Sequence, residues 1–155
     1  VATYFDNADL IELRKAEKKI LKTVIYHNWQ NKFVADDPFE FLDKLELIFT
    51  DGQKLILSAS EDKVPGIIVV LDFDAEKNKL LLLHQFGGKI DYKTEDFTEN
   101  PLWELCIGKE LITIEIVNEG DNCFKSNVIL LDFGDEKIEI LLGIEGLIIE
   151  PFENV

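Results

Sequence analysis

The sequence predicts a mainly β protein, α+β at the margin, built from antiparallel hairpins with one short N-terminal helix. Three observations carry that prediction. Leu45, Leu47 and Phe49 alternate with polar or outward positions, and Asp51-Gly52 follows and leads into Leu55 and Leu57. Both residues of that dipeptide tolerate positive φ, which makes it the strongest short hairpin signal. A similar pair spans residues 128–133 and 137–142 around Gly134-Asp135-Glu136. The hairpin signals recur at regular spacing, which argues against alternating β-α-β units and a parallel sheet. About eight or nine strands are expected, arranged as a sandwich, an open barrel or two packed sheets.

The elements follow in order. Asn7 and Asp9 are helix-start chemistry ahead of Leu10, Leu13 and Glu17, and Lys15, Lys18 and Lys19 suit a helix end. The spacing predicts a helix over residues 8–17, with near-helical periodicity running on to Ile20 or Leu21. Residues 23–26 are β-branched or aromatic and read as strand. Residues 27–40 show little periodicity and read as a loop. A hairpin is expected between residues 67–73 and 79–83, connected through residues 75–78. Residues 85–100 are polar, contain Gly87-Gly88 and Asn100-Pro101, and read as the longest loop. Residues 102–107 suit one or two helical turns, residues 109–118 alternate as a strand, and residues 147–150 form a last strand ended by Pro151.

The chain reads as a single domain, 1–155, with two similar stretches at residues 8–70 and 100–151. Leu10-Ile11-Glu12-Leu13 answers Leu102-Trp103-Glu104-Leu105, and Leu21-Lys22-Thr23-Val24 answers Leu111-Ile112-Thr113-Ile114. Leu45, Leu47, Phe49 and Asp51 answer Ile129, Leu131, Phe133 and Asp135. The order in both is helix, strand, loop, hairpin, strand, which suggests an internal duplication. The alternative is that any two amphipathic hairpins look alike.

Bulk composition excludes several classes. Of 155 residues, 31 are Asp or Glu and 16 are Lys or Arg, giving a formal net charge of −15. Such a chain repels phosphates, so nucleic acid is not an expected partner. Arg14 is the only arginine, which disfavours a dedicated phosphate site. Hydrophobic residues make up 46%, too many for an acidic disordered chain. No apolar run approaches the ~18 residues of a membrane span, and no signal peptide is visible at the N-terminus. A cytoplasmic protein with no membrane partner is therefore expected. Cys106 and Cys123 are too few for a disulfide framework and read as two reduced thiols.

Each candidate chemistry has a simpler competitor. Asp72, Asp74, Glu76 and Asn78 alternate as oxygen ligands, but Lys77 and Leu83 stand where a calcium loop needs Gly and a bidentate Glu. No metal site and no cofactor is predicted. Asp132 and Asp135 with Glu136 read as turn and solubilising charge. His27 and His84 are the only histidines. A nucleophile–base pair would need one of them beside Cys106, Cys123, Ser58, Ser60 or Ser126, and no local signature supports it. No catalytic residue is assigned. Trp29 and Trp103 stand outside the alternating pattern; such aromatics either cap a core or anchor an interface.

The charge is the most usable functional feature. It favours a non-enzymatic acidic binding protein steered to a basic protein partner, as a toxin-neutralising immunity protein would be. The candidate partner-binding residues are Trp29, His27, Phe33, Asp36 and Asp37. One alternative is a small-ligand-binding β-barrel or a hydrolase-type enzyme using carboxylates and histidine. Another is a self-associating module, a homodimer paired through edge strands at residues 80–83 or 147–149.

Overall fold

The computed structural model describes residues 3–59 and 65–153. Asp6 caps the first helix, α1 (Asn7–Ala16), by accepting the Asp9 N–H at 2.8 Å. Two long strands follow, β1 (Leu21–Asn31) and β2 (Phe39–Phe49), then β3 (Lys54–Ala59) and β4 (Ile67–Val70). A second helix, α2 (Ala75–Phe86), and β5 (Ile90–Asp96) come next. The remaining elements are α3 (Pro101–Glu104), β6 (Thr113–Glu115), β7 (Val128–Asp132), β8 (Lys137–Leu142) and β9 (Leu147–Pro151).

The described strands form one antiparallel sheet that curls into a half-barrel. Its path is β4-β3-β2-β9-β8-β7-β6, and β1 branches off β2 to carry β5. β2 is the junction. It pairs with β1 along one side and with β3 and then β9, at Leu42↔Leu147, along the other. Across the sheet, the Ile67 N–H donates to the Ser126 carbonyl at 2.7 Å.

One core fills the concave side. Leu13, Ala16, Leu21 and Val24 are buried, and so are Trp103, Cys106, Leu111 and Ile114 at the same mutual spacing. The two series meet where residues 18–21 run antiparallel to residues 108–111. There Ile20 bridges Glu110, the Leu21 N–H donates to the Lys109 carbonyl at 3.0 Å, and the Gly108 N–H donates to the Leu21 carbonyl at 2.8 Å. Leu45, Leu47 and Phe49 of β2, and Ile129, Leu131 and Phe133 in and beyond β7, face the same interior. Trp103 is fully buried, and its indole N–H donates to the Tyr26 hydroxyl at 2.7 Å. Among the described residues, no helix is long and apolar enough to cross a membrane.

Three expected elements differ. Residues 79–83 are helical, and residues 67–70 pair with β3 instead. Asp74, weighed above as an oxygen ligand, is the N-cap of α2 and accepts the Lys77 N–H at 3.1 Å. Gly87 ends the helix at φ 58°. The leucine run does not alternate because only Leu82 faces inward. Second, the loop at residues 27–40 shrinks to residues 32–38, because β1 finds partners on both edges and its polar Asn28 and Gln30 face Glu40 across the pair. Third, residues 90–96 of the long polar loop are β5, ordered by its pairing with β1. In addition, α1 stops at Ala16, with Lys18 at φ 70°, and β6 keeps only residues 113–115 of the expected strand.

Candidate aromatic cleft and buried polar cluster

β5, β1 and β2 place three aromatic side chains in a row. Register pairs Tyr92 with Trp29 and Trp29 with Phe41. Trp29 meets Tyr92 edge-on, with ring centroids 6.3 Å apart, and stacks on Phe41 at 6.2 Å. Phe39, two residues before Phe41 on the same face, stacks on it at 6.2 Å. On one side this row is covered by α2, where Leu82 packs with Ile90, Tyr92, Trp29 and Phe73.

On the other side the row opens into a cleft of about 480 Å³ at the seam where β2 meets β9. Its lining includes Trp29, Phe39, Phe41 and Asp43 from β1 and β2, and Ile144 and Glu145 from the turn before β9. Ile144 is fully exposed and Phe39 is 44% exposed. The described lining residues include two carboxylates and no basic side chain.

Asp43 reaches this cleft because of a β-bulge. His27 pairs with Lys44 and Asn28 pairs with Leu42, so Asp43 is the extra residue. A bulge bends the strand and redirects a side chain. Asp43 is 3% exposed. Its Oδ2 accepts from the Tyr92 hydroxyl and from Lys44 Nζ, the latter at 2.6 Å. Lys44 Nζ also lies 4.7 Å from the Phe73 ring centroid, a cation–π distance. The buried carboxylate therefore has its charge compensated.

Beside Phe73 lies His27, 2% exposed. Its Nδ1 is 2.9 Å from Thr94 Oγ1 and its Nε2 is 2.9 Å from Glu46 Oε1. Phe73 meets the imidazole edge-on at 4.9 Å. Lys54 Nζ approaches the other Glu46 oxygen at 3.2 Å. The hydrogen bond from His27 holds the Glu46 carboxyl below its ordinary pKa, burial opposes that shift, and Lys54 reinforces it.

The five residues expected at a partner surface separate. Trp29 lines the cleft, while His27 is buried two residues away. Phe33 lies beside Phe86 of α2, and Asp36 and Asp37 are exposed in the turn between β1 and β2. None of these last three lines the cleft. Phe39, Phe41, Asp43 and Ile144 were not singled out from sequence; the bulge and the β2–β9 seam that assemble them are tertiary features.

His27 bonds threonine and glutamate, while Ser126 bonds Thr3 and Ser58 bonds the carbonyl of Ala59. His84 is exposed on α2, and Ser60 lies outside the described residues. Both cysteines are free, and burial, with Glu136 nearby, pushes the Cys106 thiol up to about 11. No group of three metal-ligating side chains occurs among the described residues. No protein-family model, curated protein or solved structure matches the chain.

Proposed function

We propose that this chain is a non-enzymatic acidic binding protein that engages a basic protein partner through the aromatic cleft. The observation that carries the reading is the composition of the cleft: three aromatic side chains beside the exposed Glu145, with Asp43 already paired to Lys44 and no basic residue among the described lining. Aromatic faces and nearby carboxylates suit an arginine or lysine side chain, arginine above all because its planar guanidinium stacks and forks. The net charge of −15 would steer such a partner and disfavour an anionic one. A toxin-neutralising immunity protein is one kind of protein that works this way.

A duplication, proposed on the matched core series, gives the cleft its setting. Residues 10–25 and 100–115 follow nearly the same order of buried and exposed positions, 90 residues apart. That spacing pairs Leu13 with Trp103, two positions from the Leu105 that sequence likeness alone suggests. The first half adds a longer β1–β2 arm together with α2 and β5. The cleft lies at the edge of these additions, where function grafted onto a scaffold is expected.

The test is titration of this protein into dye-labelled arginine-rich, lysine-rich and acidic peptides, read by fluorescence anisotropy at two salt concentrations. Binding of the basic peptides that weakens with salt and is lost in Trp29→Ala and Glu145→Ala supports the reading. Equal binding by Trp29→Ala, or none at low salt, overturns it. The cleft volume also lies in the range of small-molecule sites, roughly 300–1,000 Å³. A neutral aromatic compound that binds with no salt dependence would favour the small-ligand reading instead.

A further inference from the structure

We infer that the outer face of β7, β8 and β9 docks a basic amphipathic helix of the partner protein. The inference takes the partner's charge from the cleft reading, on which it rests, and extends that surface across the sheet. Ile129, Leu131, Ile138 and Ile140 face the core, so their neighbours along each strand point outward. Outward positions of an antiparallel sheet with one solvated face are ordinarily polar. Here register sets Val128, Leu141 and Ile148 side by side across three strands, and Ile148 is 45% exposed. The Leu42↔Leu147 pair brings Phe41 of the cleft next in the same row. Near-continuous apolar runs mark strands covered on both faces. The first half has such a cover, because Leu82 of α2 packs on Trp29, Ile90 and Tyr92 on that side of the sheet. α1 and α3 send Leu13 and Trp103 into the core instead. Among the described residues, β7, β8 and β9 therefore have no helix on their outer side.

Charge selects the occupant. In the adjacent row Glu139 stands directly opposite Glu150, and Glu115 lies beyond Leu130 on the same face. Like charges directly opposite each other, with Cβ atoms about 4.5–5.5 Å apart, destabilise an antiparallel pair. The face supplies no relief of its own. Its cation, Lys137, lies 3.9 Å from Asp132, and Lys125 at the rim is held by Glu119 at 3.2 Å. Among the described residues, no cation pairs with Glu115, Glu139 or Glu150. A helix with an apolar stripe over Val128, Leu141 and Ile148, and lysines or arginines along one flank, covers the apolar row and relieves the glutamates together. A second copy brings the same glutamates and one engaged lysine, so it would bury acid without a counter-charge. It finds no free edge here either, since β9, weighed above as an edge strand, lies between β8 and β2.

The test titrates the full chain into a dye-labelled leucine–lysine peptide patterned as an amphipathic helix, and into its scrambled isomer, read by fluorescence anisotropy. The patterned peptide is expected to bind about tenfold more tightly than the isomer, or better. Ile148→Ser and, separately, Glu139→Gln/Glu150→Gln should each remove that advantage, the second with the melting temperature unchanged or raised. Glu150 is exposed, so the charge variant keeps the test open if Ile148→Ser fails to fold. Both variants should still bind the arginine-rich peptide that reports the cleft, so the two readings fail separately. Equal binding of the two isomers, or an advantage that survives both variants, overturns the inference whatever the arginine-rich peptide does. So does a dimer in sedimentation that Ile148→Ser breaks, which would give the face to a second copy.

Discussion

Replacing Gly146 with alanine should damage the β2–β9 seam far more than the same change at Gly66. Gly146 sits at φ 141°, where an L side chain is strained, and a Cβ there would lie 2.5 Å from the Leu42 carbonyl oxygen and 2.7 Å from Phe41 Cδ2. The first obstacle is backbone, so strand β2 or the turn must move. Backbone strain of about 1–3 kcal/mol and overpacking of about 1–3 kcal/mol, less about 0.4–1 kcal/mol of unfolded-state entropy, leave a net cost of roughly 1–5.5 kcal/mol, centred on about 3. Gly66 is the corresponding residue before β4. Its Cβ would meet Ser126 Oγ at 2.8 Å, with no positive φ. That hydroxyl can turn away, losing its bond to Thr3, so Gly66→Ala should cost no more than about 1 kcal/mol. Urea unfolding followed by tryptophan fluorescence measures both, with an unchanged m-value confirming that stability alone has shifted. A Gly146→Ala variant within about 0.5 kcal/mol of the parent, the ordinary spread of surface changes, would refute the reasoning. Equal losses at the two glycines would do so as well.

Three further outcomes are expected. Because the Glu46 pKa is lowered in the folded protein, its contribution to stability is present above the unfolded carboxyl pKa and is lost as pH falls through the folded one. Unfolding free energy measured from pH 7 down to pH 3 should therefore fall less steeply in Glu46→Gln than in the parent. Cys106, its thiol pushed up to about 11, should resist a thiol reagent at pH 8 until urea is added, while the more accessible Cys123 reacts at once. His27→Leu alone leaves Glu46 without its closest hydrogen bond and should cost about 1–3 kcal/mol, whereas His27→Leu/Glu46→Leu should recover most of that in a double-mutant cycle.

The hairpins were legible because local chemistry and tertiary demand agree there. Asp51-Gly52 has the turn residues its geometry needs, and Leu45, Leu47 and Phe49 all face one core. α2 was misread because its stripe is weak: Leu80, Leu81 and Leu83 are exposed, so the run carries no visible helical period. The legible signals were its ends, Asp74 as N-cap and Gly87 in the left-handed conformation. β5 has alternation at Ile90 and Tyr92 only, and it is a strand because β1 offers it an edge. Of the cleft, Trp29 was legible as an aromatic outside the pattern. Asp43 was not, since a bulge decides where it points.

The polar cluster explains why the aromatic row can hold its geometry. The cluster joins β1, β2 and β5 through His27, Asp43, Lys44, Glu46, Tyr92 and Thr94. Buried polar groups cost desolvation that apolar ones would not. What they add is registration. His27 uses one ring nitrogen towards Thr94 on β5 and the other towards Glu46 on β2, so a single side chain ties three adjacent strands. A one-residue slip of either neighbour turns its partner to the opposite face and breaks the bond. Lys44, Asp43 and Tyr92 make a second tie between β2 and β5 around the bulge. Trp29 lies two residues from His27 on the strand between those ties. Its ring is therefore positioned by hydrogen bonds on both flanks as well as by packing, and a cleft wall fixed in this way loses little conformational entropy when a side chain inserts against it.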